Sequence, residues 1–437
     1  MGAARAKVSH EYWDEKIECI SKDALQKIRT LKMQQHLRYT YQNSPFYKSV
    51  LDEAGISPEE ITTLEKFSNR VPLLSRDQLI HEQLEKPPFG DLMAVGIKDI
   101  RRIYSSPGPL MMPFSKSDMD DYINTTANGL HICGARRGDI VDIAYSYQWD
   151  LAGTMLDDGF RRLGCAVIPG GPGMSKTHIH IIKHLGVSVV RAFPSFAMKL
   201  VNVAEKMNIH PRSDLKVRLI IIGGEIYPEG LKAELAEQYG AEIRDMYGGA
   251  ETGFVASECS TGGGMHCFTP SIVEIIDPVT HQHVAPGRPG EIVTTDLSRK
   301  GLPLIRYRTG DITEGLSTEP CTCGRTSARL GKIIGRTDNN LWIRGVLLIP
   351  SKVKEVLQKR MGLGDFQIIV DRDQLMDRLI IKVESHNQVP EEGMREAIID
   401  DLRAVTRLRA EIHFVSVGSL ADGPAVIDLR SEVQSRH

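Results

Sequence analysis

The sequence predicts an α/β protein, with a large N-terminal domain built on parallel-rich sheets and a small α+β C-terminal domain on a hinge. Three observations predict it. Between residues 100 and 310, short β-rich runs at 140–145, 166–168, 187–191 and 218–222 alternate with helical stretches, the pattern of parallel strands joined by crossover helices. Glycine clusters follow several of these runs, and sheets of this kind bind ligands at the carboxyl ends of their strands. A polar, turn-rich segment at 333–345, with Gly335, Asp338, Asn339 and Asn340, then separates this region from a final stretch of different pattern. At about 150 residues per folding unit, 437 residues make two to three units.

The elements follow in order. Residues 1–85 read as a helical arm: apolar residues recur at helical spacing over 24–41 until Asn43-Ser44-Pro45 stops them, and 72–80 reads as a turn and a short helix. The N-terminal domain is expected to span 1–337 and the mobile C-terminal domain 338–437. The latter reads as a helix (351–360), strands (366–370 and 379–383), a helix carrying Met394, Ile398, Leu402 and Val405 on one stripe, and a strand (412–415).

Composition narrows the function. Lys+Arg is 54 against Asp+Glu 56, a net charge of −2 without the clustered positive field that nucleic acids and anionic membranes reward. No apolar run approaches the roughly 18 residues of a membrane span, and the N-terminus lacks a signal-peptide core, so a cytoplasmic protein is expected with no nucleic-acid or membrane partner. Seven cysteines, an odd number, favour free thiols or a metal over disulfides. Cys19, Cys133 and Cys165 lie in apolar surroundings and read as packing residues.

The remaining cysteines form a set. Cys321-Thr322-Cys323-Gly324-Arg325 is a tight Cys-x-Cys turn; upstream lie Cys259 and His266, and the glycines 262–264 free the intervening loop to wrap an ion. Three thiols and an imidazole make a tetrahedral zinc site, structural because no position stays open, with Cys267 as the rival fourth thiol. His178 and His180 show no partner in the sequence and read as helix residues. Ser195, in Pro194-Ser195-Phe196, does not sit in a nucleophile elbow.

Four further motifs carry chemistry. Gly223-Gly224-Glu225 follows an apolar strand, and glycines there let the backbone approach a flat ligand. The run from Asp245 through Tyr247, Gly248 and Gly249 to Glu251 and Thr252 offers an aromatic to stack on a base and a carboxylate for Mg²⁺. In Arg306-Tyr307-Arg308-Thr309-Gly310-Asp311 the terminal acid suits both hydroxyls of a ribose. The fourth runs from Gly335 and Arg336 through Asp338 to Arg344 and Gly345, at the hinge.

In this order, with Tyr12-Trp13-Asp14, Asn43-Ser44-Pro45-Phe46-Tyr47, Ile349-Pro350-Ser351 and Val426-Ile427-Asp428-Leu429-Arg430, the motifs resemble the adenylate-forming ligase superfamily, in its phenylacetate–CoA ligase branch. The resemblance covers essentially the whole chain. It implies that a carboxylic acid becomes an acyl-adenylate and that, after the small domain rotates, the acyl group passes to a thiol (CoA) or an amine. By position it implies Gly223, Gly224, Glu225, Tyr247 and Gly248 around the adenine, Glu251 on Mg²⁺, Asp311 on the ribose with Arg336 beside it, and Asp338 at the hinge. Glu251 and Arg336 would be catalytic. Tyr145, Tyr147, Trp149, Gly170, Gly171 and Pro194 would line the pocket of an aromatic or other planar acid. Some members of the branch carry a similar Cys/His set, and the helical arm implies a homodimer.

Two departures from the family pattern stand out. Its phosphate loop, rich in Ser, Thr and Gly and closed by a lysine, corresponds here to Tyr104 through Phe114. Ser105 and Ser106 remain, but Pro107, Pro109 and Pro113 lack amide donors, and Leu110, Met111 and Met112 are apolar. The adenylation lysine before the terminal strand is also missing: 418–425 holds none, and no lysine follows Lys382. AMP or an acyl-adenylate is therefore the expected ligand rather than ATP, with adenylation impaired. The alternatives are a full ligase using substitute cations such as Lys332 or Arg325, and a non-catalytic nucleotide- or acyl-binding homologue.

Overall fold

A computed structural model describes residues 12–106, 110–269, 271–337, 341–343, 346–348, 350–360, 362–373, 376–385, 393–420 and 425–430. The arm opens on Lys22–Asn43, which begins where the Ser21 hydroxyl accepts from the Ala24 amide. Ser44 closes this helix and caps the next, Pro45–Glu53, whose leading proline occupies the first turn, where a missing N–H costs little. Arg76–Glu85 starts with a capping box in which Ser75 and Gln78 satisfy each other's amides. The arm packs on a hairpin of Ile100–Ser106 and Leu110–Ser115: Met33, Leu37 and Leu51 share a core with Leu110, Met112 and Phe114.

The central sheet has nine strands. Ala166–Ile168, Ile140–Ile143, Val189–Ala192, Leu219–Ile222 and Glu242–Gly249 lie side by side in parallel. Every residue of Val189–Ala192 and Leu219–Ile222 is buried, as strands covered by helices on both faces must be. Antiparallel strands Gly253–Glu258, Met265–Cys267, Arg329–Leu330 and Leu316–Ser317 extend the sheet. A second, antiparallel sheet runs Ser271–Ile276, Gly290–Asp296, Tyr307–Thr313, Ile333–Arg336.

The C-terminal unit is α+β. Glu411–Ser416, Met376–Ser385, Leu363–Asp373 and Val426–Asp428 form its sheet, covered by helices Pro350–Gln358 and Met394–Thr406. The helical stripe holds with one exception. Ile398 and Leu402 are buried, but Val405 is half exposed and borders the cavity between the two units. Periodicity finds an apolar face; it does not tell a core from a binding wall.

Candidate functional site

Three elements converge on Asp311. Antiparallel pairing sets Asp311 of Tyr307–Thr313 directly opposite Arg336 of Ile333–Arg336, and the guanidinium donates from Nη1 to Asp311 Oδ1. Tyr247, near the end of its parallel strand, donates its hydroxyl to Asp311 Oδ2 at 2.8 Å. Burial holds the Tyr247 phenol well above its usual pKa, so it stays a donor. The next residue must be glycine: a Cβ on Gly248 would lie 2.2 Å from the Gly253 carbonyl oxygen.

Glu251 follows in the same turn and is already engaged. Ser106 donates to its Oε1 at 2.5 Å, Arg76 Nε lies 3.2 Å from the same oxygen, and Arg76 Nη2 donates to Ser106 at 3.0 Å. Arg76 comes from the helical arm, immediately after the capping serine, and nothing in the local sequence marks it as a site residue. Beneath, Arg299 donates to the Glu251 carbonyl at 2.5 Å and fixes the turn.

Tyr247, Asp311, Arg336, Glu251, Ser106 and Arg76 line a cavity of about 630 Å³ between the units. Tyr145, Phe193 and Gly224 form one end, and the Trp149 indole lies at the rim, 73% exposed. Gly224 is needed there: its φ is +81°, and a Cβ would meet the Phe193 ring at 2.8 Å. Glu225 borders the cavity, yet its carboxylate accepts from the Ser195 amide (3.1 Å) and hydroxyl (2.9 Å), anchoring the start of helix Pro194–Lys206. The C-terminal unit closes the cavity with Val346, Lys352, Val405, Thr406 and Arg407.

Several expected pocket residues lie elsewhere. Tyr147, Gly170, Gly171 and Pro194 are not among the cavity's lining. The Tyr147 hydroxyl donates to Asp157 at 3.2 Å; Pro194 occupies the first turn of its helix; Gly170 is pressed against His178. Tyr147 lies in the irregular segment after strand Ile140–Ile143, and its ring turns to helix Leu151–Leu163, where Asp157 sits. Gly223 takes part through its carbonyl, which accepts from the Tyr145 hydroxyl at 2.6 Å. His178 does have a partner, the buried Asp142, at 2.6 Å. The two are 36 residues apart, and only the β-strand topology unites them. Asp338 lies outside the described residues.

The expected triphosphate end differs in kind. Leu110, Met112 and Phe114 are fully buried in the arm's core, and the Met111 amide and carbonyl are both bound to the Gln83 side chain, at 2.9 and 2.8 Å. Residues 107–109 and 421–424 lie outside the described residues. Neither proposed substitute cation borders the cavity: Arg325 is buried against Glu18 at 2.6 Å, and Lys332 lies over the Tyr227 ring.

Cys259, His266, Cys321 and Cys323 do assemble. All are buried, and their ligand atoms lie within 4.8 Å of one another. Cys259 and Cys321 sulfurs are 3.8 Å apart, the edge of a tetrahedron with Zn–S bonds of about 2.3 Å. His266 Nε2 faces Cys323 Sγ at 3.3 Å, while Nδ1 is held by Ser327 at 3.2 Å, the second contact that orients a ligating imidazole. Hydrogen bonds from Cys323, His266 and Thr261 outweigh burial and pull the Cys259 thiol well below its usual pKa. Cys267 stays outside, a buried thiol pushed up to about 11. The turn also clasps the N-terminal arm: the Tyr12 hydroxyl donates to the Cys323 carbonyl at 2.9 Å.

Comparison with known proteins now adds to this geometry. Residues 159–296 match the AMP-binding enzyme family and 345–427 the AMP-binding enzyme C-terminal domain. The chain is similar to phenylacetate-coenzyme A ligases of Thermus thermophilus (31% identical; 89% of this chain, 88% of the relative) and Pseudomonas putida (31%; 92% and 93%). Among solved structures it is similar to 2-hydroxyisobutyryl-CoA ligase, 28% identical. With that ligase in complex with 2-HIB-AMP and CoA in the thioesterification state the TM-score is 0.91, covering 99% of this chain and 96% of the other. With its postadenylation state in complex with 2-HIB-AMP it is 0.74, covering 99% and 94%.

Proposed function

Because the chain belongs to the phenylacetate–coenzyme A ligase family of AMP-forming acyl-CoA ligases, we propose that it transfers the acyl group of an acyl-adenylate to coenzyme A, with its own adenylation step impaired. The carrying observation is a contrast between the Tyr247–Asp311–Arg336 network at the cavity wall and the hairpin strand Leu110–Ser115, whose apolar side chains are buried and whose Met111 amide is bound to Gln83. The arrangement of the two units, nearer to the thioesterification state of a similar ligase than to its postadenylation state, supports the acyl-transfer part of this reading.

In this reading Asp311 takes the ribose hydroxyls, Arg336 pairs with Asp311, and Tyr247 and the backbone from Gly223 to Glu225 border the adenine. Tyr145, Trp149 and Phe193 surround a planar acyl group. The thiol sulfur attacks the acyl carbon, the carbon–oxygen bond to AMP breaks, AMP departs as the anion and the thiol proton passes to water. Lys352 and Arg407, on the C-terminal wall, favour an anionic phosphorylated thiol such as coenzyme A over a neutral amine. Losing one preorganised cation of the adenylation step costs about 10²–10³ in rate.

The test compares two rates in the full chain: pyrophosphate release from ATP and a panel of aryl acids, and thioester formation from synthetic phenylacetyl-adenylate and CoA. The expected outcome is thioester formation with pyrophosphate release about a hundredfold slower or more. Pyrophosphate release at the thioester-forming rate would overturn the impaired step, and no thioester from any adenylate would overturn acyl transfer.

The four-residue Cys/His cluster fits zinc, with Cys259, His266, Cys321 and Cys323 as ligands. The ion would clamp the loop after Glu251 to the segment that holds the N-terminal arm. Elemental analysis should find one zinc per chain, lost in Cys321→Ser.

A further inference from the structure

Two arginines are the largest fully buried side chains among the described residues, and one of them, Arg191, is at the cavity wall. Arg191 is 2% exposed, is the penultimate residue of the central parallel strand Val189–Ala192 and lines the cavity beside Tyr145 and Phe193. Its Nη1 donates to the Tyr145 hydroxyl at 2.9 Å and to the Ile221 carbonyl at 3.0 Å, and the guanidinium stacks on the Tyr145 ring at 4.6 Å. Nε is buried without a hydrogen-bond partner, and no acceptor for Nη2 is found among the described residues. Nor does any described carboxylate form an ion pair with Arg191.

That isolation is unusual within this molecule. Buried Arg306 faces Glu274, Arg325 faces Glu18, and Arg430 faces Asp377. Arg299 is the other exception, but it lies away from the cavity wall and holds the Glu251 carbonyl. A guanidinium that remains charged in a low-dielectric site is costly unless an anion meets it. Hydroxyl, carbonyls and ring face satisfy part of Arg191, and none of them cancels its charge.

Resting on the acyl-adenylate reading of the cavity, we propose that the acid handled here carries a second acidic group, and that Arg191 binds it. The preferred acyl chain is then a planar acid with a further carboxylate on the part that lies against Tyr145 and Phe193, not plain phenylacetate. A site built around a buried donor rejects analogues that leave the donor unpaired, and this gives Arg191 its role in specificity.

The test uses the full chain and non-hydrolysable acyl-sulfamoyl adenosines bearing phenylacetyl or its 2-, 3- and 4-carboxy derivatives. Calorimetry should find at least one carboxylated analogue bound about tenfold or more tightly than the unsubstituted one. In Arg191→Met that preference should vanish, and Arg191→Lys should restore part of it. AMP affinity should not change in either variant. The Arg191→Met melting temperature should hold or rise, because an apolar side chain of similar volume replaces an unpaired buried charge. A wild type without preference, or a preference that survives in Arg191→Met, overturns the proposal. So does an equal loss of AMP affinity, which would place the arginine on the phosphate, or a fall in melting temperature with unchanged selectivity, which would make it structural. Failure of every adenosine analogue to bind would remove the acyl-adenylate reading itself, and this proposal with it.

Discussion

The cavity wall around Asp311 and the hairpin whose Ser105 and Ser106 reach that cavity are built from the same kinds of element and do opposite things with their polar groups. At the end proposed for the nucleoside, strands from two sheets aim Tyr247, Asp311 and Arg336 at one another, and the carboxylate stays at the cavity wall. At the hairpin end the strands turn Leu110, Met112 and Phe114 into the core, and the Met111 amide is tied to Gln83 rather than left for a ligand. Strands of one fold thus leave a carboxylate at a cavity wall in one place and commit their side chains to packing in another.

The sharpest way to break this comparison is Asp311→Ala. It removes the proposed ribose acceptor and leaves Arg336 without that carboxylate, so AMP affinity should fall about a hundredfold, as expected for two charge-assisted hydrogen bonds. ATP affinity should fall by the same factor when both are titrated calorimetrically. An ATP affinity that survives the substitution would show that the hairpin end still grips phosphates. Glu251→Gln comes next. Its carboxylate meets Arg76 and Ser106, and replacing it weakens one charged contact, so thioester formation from a supplied adenylate should slow about tenfold. Unchanged turnover would remove Glu251 from the site.

The ease with which these residues could be found from sequence differed for physical reasons. Parallel strands buried on both faces read as continuous apolar runs, so Leu219–Ile222 was legible, and so were the glycines that follow it. Asp311, Tyr247 and the four zinc-type ligands were legible because each lies in a short motif of distinctive chemistry. Arg76, Arg191 and the Asp142–His178 pair were not. Each acts across 30 or more residues of sequence, and only strand order or arm packing brings the partners together. The acyl wall was half legible: Tyr145 and Trp149 reach the cavity, whereas Tyr147 turns to Asp157. An aromatic cluster marks a region, but the irregular backbone after Ile143 decides which ring faces the cavity.

Gln83→Ala sharpens the comparison from the hairpin side. It removes both hydrogen bonds to the Met111 backbone, at a cost of about 1 kcal/mol in urea unfolding, since Met111 is half buried and water can replace part of what is lost. AMP affinity should not move. If AMP binding weakens with stability, the hairpin belongs to the nucleotide site and the two ends are not independent.

The smallest effect concerns the loop after Ala166–Ile168, outside the cavity's lining. Both ring nitrogens of His178 face acceptors, Asp142 Oδ2 at 2.6 Å and the Gly171 carbonyl at 3.0 Å, and only the imidazolium can donate to both. Burial opposes that charge, but the hydrogen bond and charge of Asp142 outweigh it, and the pKa is raised. A raised folded-state pKa means that the native protein holds the proton more tightly than the unfolded chain. The stabilisation is therefore complete below the ordinary value of about 6.5 and is lost as pH rises through the raised one. His36 and His131 work in the opposite window: burial lowers both to about 4, so they erode stability only as pH falls below about 6.5. Between pH 6.5 and 8, denaturant midpoints should decline by the equivalent of about 1 kcal/mol or less, the worth of one hydrogen bond. His178→Gln should flatten that slope while thioester formation keeps its rate; a slope unchanged in the variant would place the titration elsewhere.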